Sequence, residues 1–143
     1  MLLQFRAFVS ADTILARVLW EATPGVGLGE SDEPEAINTF LARNPGTSFV
    51  ATDGEVLVGT ILCGHDGRRG LIHHLATKRS HRRLGVGTAL LRAGLDALRA
   101  QGISKCHLLV FRSNNDGLQF WRAVAAQERT ELALFSLATE VSG

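Results

Sequence analysis

Residues 81–91 read HRRLGVGTALL, a stretch whose residue types suit anion binding better than regular packing. A helix starting at the glycines would leave several main-chain N–H groups without internal partners, and the summed peptide dipoles would place partial positive charge there. Gly85 and Gly87 let a bulky phosphate approach the backbone, and Arg82 and Arg83 add formal charge at the rim. Two better-known glycine loops do not fit. A Walker loop needs Gly-Lys before Ser or Thr, and GVGT has no lysine; a dinucleotide fingerprint needs a third glycine at Leu90 and an acidic residue ending the next strand, where LLVF has none. The same glycines could simply allow close packing at a helix start with solvated arginines. What surrounds the loop separates the two readings.

At 143 residues the chain has the length of one ordinary domain, so residues 1–143 are read as a single domain. Hydrophobic residues make up 45% and charged residues 20%, a globular composition. A formal net charge of +1 gives no overall field towards nucleic acid or an anionic membrane. Basic charge is instead local, between Arg68 and Arg83. Arg6 interrupts too short an apolar start for a secretion signal, and no apolar run is long enough to span a membrane, so a cytoplasmic protein is expected. Cys63 and Cys106 form no C-x-x-C pair and read as buried apolar residues, with no metal site.

The elements that must position the loop follow from periodicity. LLQFRAFV alternates as a first strand. Ser10 can cap a helix from about Ala11 to Ala22, with Ile14, Leu15, Val18 and Leu19 on its apolar face. After the loop TPGVGLGE, Ser31 is a second cap, followed by Asp32, Glu33 and Pro34 in the first turn and by Ile37, Phe40 and Leu41 as the apolar stripe. Two turns, Asp53-Gly54 and Asp66-Gly67, divide the next stretch into an antiparallel three-strand meander. A helix from about Gly85 to Gln101 and the strand KCHLLVF complete a β-α-β crossover with LIHHLAT, which makes those two strands parallel. NNDGLQFWRAV opens a fourth helix, and RTELALFSL reads as a last strand. The expected fold is a mixed α/β (α+β) domain. Its sheet has six or seven mostly antiparallel strands, with one parallel pair and about four helices on both faces.

HHLATKRSHRRLGVGTALL, with its Arg-x-x-Gly-x-Gly core after a strand ending Leu-Ala-Thr, resembles the acetyl-CoA motif of the GNAT superfamily of N-acetyltransferases. NNDGLQFW resembles that family's Asn-x-x-(Ala/Gly)-x-x-Phe-Tyr segment, and the element order agrees over essentially the whole chain. The resemblance implies acetyl-CoA as cosubstrate, with no metal. Arg82, Arg83, Leu84, Gly85, Val86, Gly87 and Thr88 would offer N–H groups to its pyrophosphate. Leu75, Ala76 and Thr77 would pair with the pantetheine arm and polarise the thioester carbonyl, and Asn114 would hold the arm's far side. Trp121, also at the coenzyme site, stands where the family carries a tyrosine that protonates the leaving thiolate; the chain has no tyrosine, which leaves the general acid unassigned. AVAA at Ala123–Ala126 is a second departure, where Gly followed by an aromatic is usual.

Acyl transfer to an amine needs the amine neutral, charge on the carbonyl oxygen stabilised, and the thiolate released. At pH 7 an α-amine is neutral in about one molecule in seven, a lysine amine in roughly one in a few thousand. His73, two residues before Leu75 and so expected on the same face, is the candidate base, with His74 expected on the opposite face. Glu30 and Asp32, in the loop that would wall the acceptor, are alternatives, and both would equally serve a helix N-terminus. The activity implied is acetyl transfer to a primary amine of a small molecule, peptide or protein by direct attack in a ternary complex. The alternative is an acyl-CoA-binding sensor that kept the cradle and lost turnover. The free sheet edge suggests completion by a second subunit in a homodimer. Nucleic acid and membrane are not expected partners.

Overall fold

The computed structural model describes residues 1–140. Its sheet runs β1 (Leu3–Ala7), β2 (Phe49–Asp53), β3 (Val56–His65), β4 (Gly70–Thr77) and β5 (Cys106–Leu108), neighbours in that order. The first three interfaces are antiparallel and β4–β5 is parallel, as the crossover requires. Helices α1 (Thr13–Glu21) and α2 (Pro34–Arg43) cover one face through Val50, Leu57, Leu62 and Ala76. The other face packs Ala51, Ile61, Cys63 and Ile72 against α3 (Val86–Ala100), with Phe120 and Trp121 of α4 (Asn115–Ala123) alongside.

Close approach of α3 to the sheet depends on two glycines. A Cβ on Gly94 would stand 2.6 Å from Cys63 Sγ, and one on Gly59 would stand 2.9 Å from the side chains of Leu90 and Val86. Both are far inside ordinary contact, so the helix sits as near β3 as it does only because neither position has a side chain.

Three expectations are corrected. First, the apolar face proposed for α1 is largely wet: Ile14 is 74%, Leu15 52% and Val18 60% exposed. The buried face is instead Thr13, Ala16, Leu19 and Trp20. Trp20 decides the rotation, because its fully buried indole N–H needs an acceptor and finds the Thr60 hydroxyl oxygen at 2.8 Å. The helix also begins later than expected. Ser10–Asp12 form a 3-10 turn, held by the Val9 N–H donating to Asp12.

Second, Ser31 does not cap α2. Glu33 is the N-cap and Pro34 the first helical residue, while Asp32 closes the preceding turn by accepting from the Gly29 N–H. Third, RTELALFSL forms no strand, so the described residues contain five strands rather than six or seven. Its apolar side chains, Leu132, Leu134, Phe135 and Leu137, are exposed. A β-rich segment becomes a strand only where a ladder accepts it, and β5 is three residues long.

Candidate active site

Gly85, at φ +80°, turns the chain left-handed into α3. The first intrahelical bond is from Ala89 N–H to the Gly85 carbonyl, so the N–H groups of Gly85, Val86, Gly87 and Thr88 have no partner among the described residues. Arg82 and Arg83 are exposed and engaged in no ion pair there. The approach to this cradle is fixed from behind. His81 Nε2 lies 2.9 Å from Asp53 Oδ2 in the β2–β3 turn, and His81 Nδ1 lies 2.7 Å from Ser80 Oγ. The His81 contact and the Leu2 N–H hold the Asp53 carboxyl below its usual pKa. Spare donors, dipole and free cations therefore converge on one anion-sized place.

A gap opens in the sheet beside it. β4 pairs with β5 only over Gly70–Ile72, and β4 then runs on alone on that side through Leu75, Ala76 and Thr77, with β3 still paired on the other. An extended amide-bearing chain can add itself to such an edge. The surroundings are open: a shallow space of about 650 Å³ is lined by Gly85, Thr88 and Arg92 at the start of α3, and a smaller one of about 440 Å³ lies by Ile103 and Lys105 at its far end.

The bend that starts the gap is a β-bulge. Leu62 pairs with His73 and Thr60 with Ala76, so Ile61 faces both His74 and Leu75. His74 takes up the extra residue at φ +46°. For a non-glycine residue this conformation costs about 1–2 kcal/mol. It is held by the Thr60 hydroxyl, which donates to the His74 carbonyl at 2.8 Å while accepting from Trp20 Nε1. The bulge shifts the side-chain alternation, which corrects the expected facing of the two histidines. His73 meets Phe40 at 5.9 Å between ring centroids and His74 meets Trp20 at 4.6 Å, both on the α1/α2 face. Leu75 instead packs on the α3 side.

The loop between α1 and α2 closes over this region. A Cβ on Gly25 would strike the Asn114 amide at 2.4 Å, and one on Gly27 would strike the Phe111 ring at 2.9 Å, so the loop lies directly on the start of α4. Asn114 caps α4, its Oδ1 accepting from the Gly117 N–H, which leaves its amide N–H₂ as the free donor. Asp32 is buried, with Oδ1 2.5 Å from His74 Nε2, and Arg17 donates to its carbonyl oxygen at 2.7 Å. Glu30 is exposed and stands away from this network. His73 faces solvent, yet the protein crowds its ring. Partial desolvation, followed by charge on His74, holds its pKa below the ordinary imidazole value, with Asp32 opposing.

The model of the acetyltransferase (GNAT) family matches residues 14–125. The chain belongs to that family. It is 31% identical over 117 residues to an acetyltransferase of Pectobacterium atrosepticum, covering 81% of each chain. It is 30% identical over 87 residues to N-alpha-acetyltransferase 30 of Schizosaccharomyces pombe, covering 57% of this chain and 58% of that one. Among solved structures it is similar to the PaiA N-acetyltransferase of Thermoplasma acidophilum in complex with coenzyme A. The TM-score is 0.72 at 21% identity, covering 87% of this chain and 89% of that one.

In this GNAT chain the head of α3 stands beside β4 and α4: a Cβ on Gly87 would lie 3.7 Å from Thr77 Oγ1 and 3.4 Å from the Phe120 ring, while Asn114 at the start of α4 meets Gly25 of the α1–α2 loop. Trp121 is half-buried against the α3-side cluster, its ring 5.1 Å from that of Phe120, and its indole N–H has no acceptor among the described residues. Sequence reasoning missed His107. The parallel register puts it beside Leu71, on the face that His73 shares. Only the pairing of β4 with β5 could reveal it.

Proposed function

We propose that the protein is an N-acetyltransferase that moves acetyl from acetyl-CoA to a primary amine by direct attack in a ternary complex. The observation that carries this reading is the row of unpartnered N–H groups at Gly85–Thr88, flanked by free arginines and opening onto the unpaired β4 edge. The cradle would hold the diphosphate, and the edge at Leu75–Thr77 would align the pantetheine arm and polarise the thioester carbonyl. An imidazole of the His73–His74 pair lies on the side from which an amine would enter beneath the α1–α2 loop. The amine nitrogen forms the amide bond as the C–S bond breaks, its proton passes to a base, and the thiolate takes one from water.

α-Amines fit the site better than lysine side chains. An imidazole is too weak a base to deprotonate an amine of pKa near 10.4 efficiently but is well matched to one near 7.8. The fission-yeast relative, named an N-alpha-acetyltransferase, agrees with this preference. The test is thiol release from acetyl-CoA with a panel of peptide N-termini, amino acids, polyamines and aminoglycosides, alongside calorimetry with coenzyme A. Release with at least one amine, greatest for α-amines, is expected. Trp121 in place of a hydroxyl acid favours one other reading, a sensor that binds the coenzyme without turnover. Tight binding with no release for any acceptor would establish it.

A further inference from the structure

The two imidazoles at the bulge differ in what their nitrogens can do. His73 packs edge-on against Phe40 and has no hydrogen-bond partner among the described residues, so no neighbour there selects its tautomer. His74 is held at three points. Its ring lies on Trp20, its carbonyl is held by Thr60, and its side chain is only 14% exposed.

Its Nε2 meets Asp32, a carboxylate that already accepts the Gly29 N–H at 2.9 Å through its other oxygen. A carboxylate can only accept, so neutral His74 must carry its proton on Nε2 and present a lone pair at Nδ1. Among the described residues the one buried side-chain polar atom left without a partner is Thr13 Oγ1. His74 Nδ1, with no partner among the described residues, is therefore not fully buried. His74 itself belongs to the stretch of β4 beyond Ile72 that β5 leaves unpaired.

We propose that His74, oriented by Asp32, is the proton acceptor of the acetyl transfer, and that His73 lines the acceptor side without taking the proton. The inference rests on the acetyltransferase reading above. As the amine nitrogen bonds to the acetyl carbon and the C–S bond breaks, the amine proton goes to Nδ1, while the Nε2 proton stays between ring and carboxylate. The imidazolium then returns its proton to solvent, from which the thiolate takes one, giving amide and free thiol. Asp32 acts as a positioning residue. It also ties the α1–α2 loop to β4, so that a displaced loop would release the tautomer. A backbone in the left-handed region carrying histidine rather than glycine is consistent with a ring kept for use.

The test uses His74→Gly, which the left-handed backbone accepts and which leaves a slot beside Trp20 and Asp32. Against an α-amine peptide, kcat should fall about 100-fold or more, coenzyme A affinity by calorimetry should stay within about twofold, and added imidazole should restore part of the rate. Asp32→Asn should lower kcat at least about tenfold with the KM for acetyl-CoA unchanged. His73→Ala should raise the acceptor KM and keep kcat within about fivefold. If His74→Gly does not fold, His74→Asn tolerates the same left-handed backbone and offers no group able to take a proton at that place. It should fold, bind coenzyme A and be as slow as expected for the glycine variant.

An active His74→Asn enzyme, a folded His74→Gly enzyme indifferent to imidazole, or a 100-fold loss confined to His73→Ala would each overturn the assignment. Wild-type protein that releases no thiol with any amine would instead refute the acetyltransferase reading itself, before any variant is made.

Discussion

Replacing Gly87 with alanine should move stability and coenzyme binding in opposite directions. Gly87 is the second residue of α3, and its φ is not positive, so the backbone has no need of glycine. An added Cβ would lie 3.4 Å from Phe120 Cε1 and 3.7 Å from Thr77 Oγ1, ordinary contacts that the fold accepts without adjustment. Alanine exceeds glycine by about 1 kcal/mol in a helix interior; taking about half of that for a first turn, Tm should rise by about 1–2 °C. The same methyl would stand between β4 and α4, at the junction of cradle and slot. Pushing the diphosphate off one N–H forfeits a charge-assisted hydrogen bond of about 1.5–3 kcal/mol, or roughly a 10- to 150-fold rise in Kd. Calorimetric titration with coenzyme A and thermal unfolding read the two effects separately. A Kd unchanged in a protein of unchanged or raised Tm would refute the placement of the anion at Gly85–Thr88. Gly87→Trp should abolish binding altogether.

Four further outcomes are expected. Ala125, at φ +66°, occupies the left-handed position closing α4, where Ala126 N–H reaches the Trp121 carbonyl; Ala125→Gly should stabilise by about 0.5–1 kcal/mol, measured by urea unfolding. Burial, with a smaller contribution from Cys106, pushes the Cys63 thiol up to about 12, and half-buried Cys106 is raised too; an aromatic disulfide reagent should label Cys106 first and reach Cys63 only on unfolding, as peptide mapping would show. Because the folded-state pKa of His73 is depressed, the unfolded chain binds the extra proton first as pH falls below about 6.5. Stability should therefore decline from pH 7.5 to 5.5, and less steeply in His73→Gln, as compared by urea midpoints. Gly94→Ala should destabilise by about 1–3 kcal/mol, since its Cβ would overlap Cys63 Sγ; an unchanged urea midpoint would mean that α3 can lift from β3.

Much of the fold was legible because it is written in local periodicity. The meander turns at Asp53-Gly54 and Asp66-Gly67, the parallel crossover and the helix at Val86 all follow from spacing and turn chemistry. α1 was misrotated because Ile14, Leu15 and Val18 look like a core face, whereas burial follows Trp20, whose partner Thr60 is forty residues away. LIHHLAT gives no sign of a bulge: one residue inserted opposite Ile61 brings both histidines to the face opposite Leu75, and a strict two-residue alternation cannot foresee it. Asp32 was visible as a candidate, but its contact with His74 depends on that same bulge. His107 needs the β4–β5 register, which no local pattern encodes. RTELALFSL carries the composition of a strand without an edge long enough to receive it.

Only three residue pairs join β5 to the rest of the sheet. Among the described residues the chain after β5 is held by that short seam, by Phe120, Trp121 and Val124 resting on the α3-side core, and by Phe111 and Asn114 against the α1–α2 loop. A molecule lodged in the gap would act as mortar, bonding to β4 as a missing strand would. At a hundredfold excess over its Kd it would add about 2.7 kcal/mol, a sizeable share of what a domain of this size possesses. A folded chain so braced would last longer wherever that molecule is plentiful, and its abundance would follow the molecule's supply.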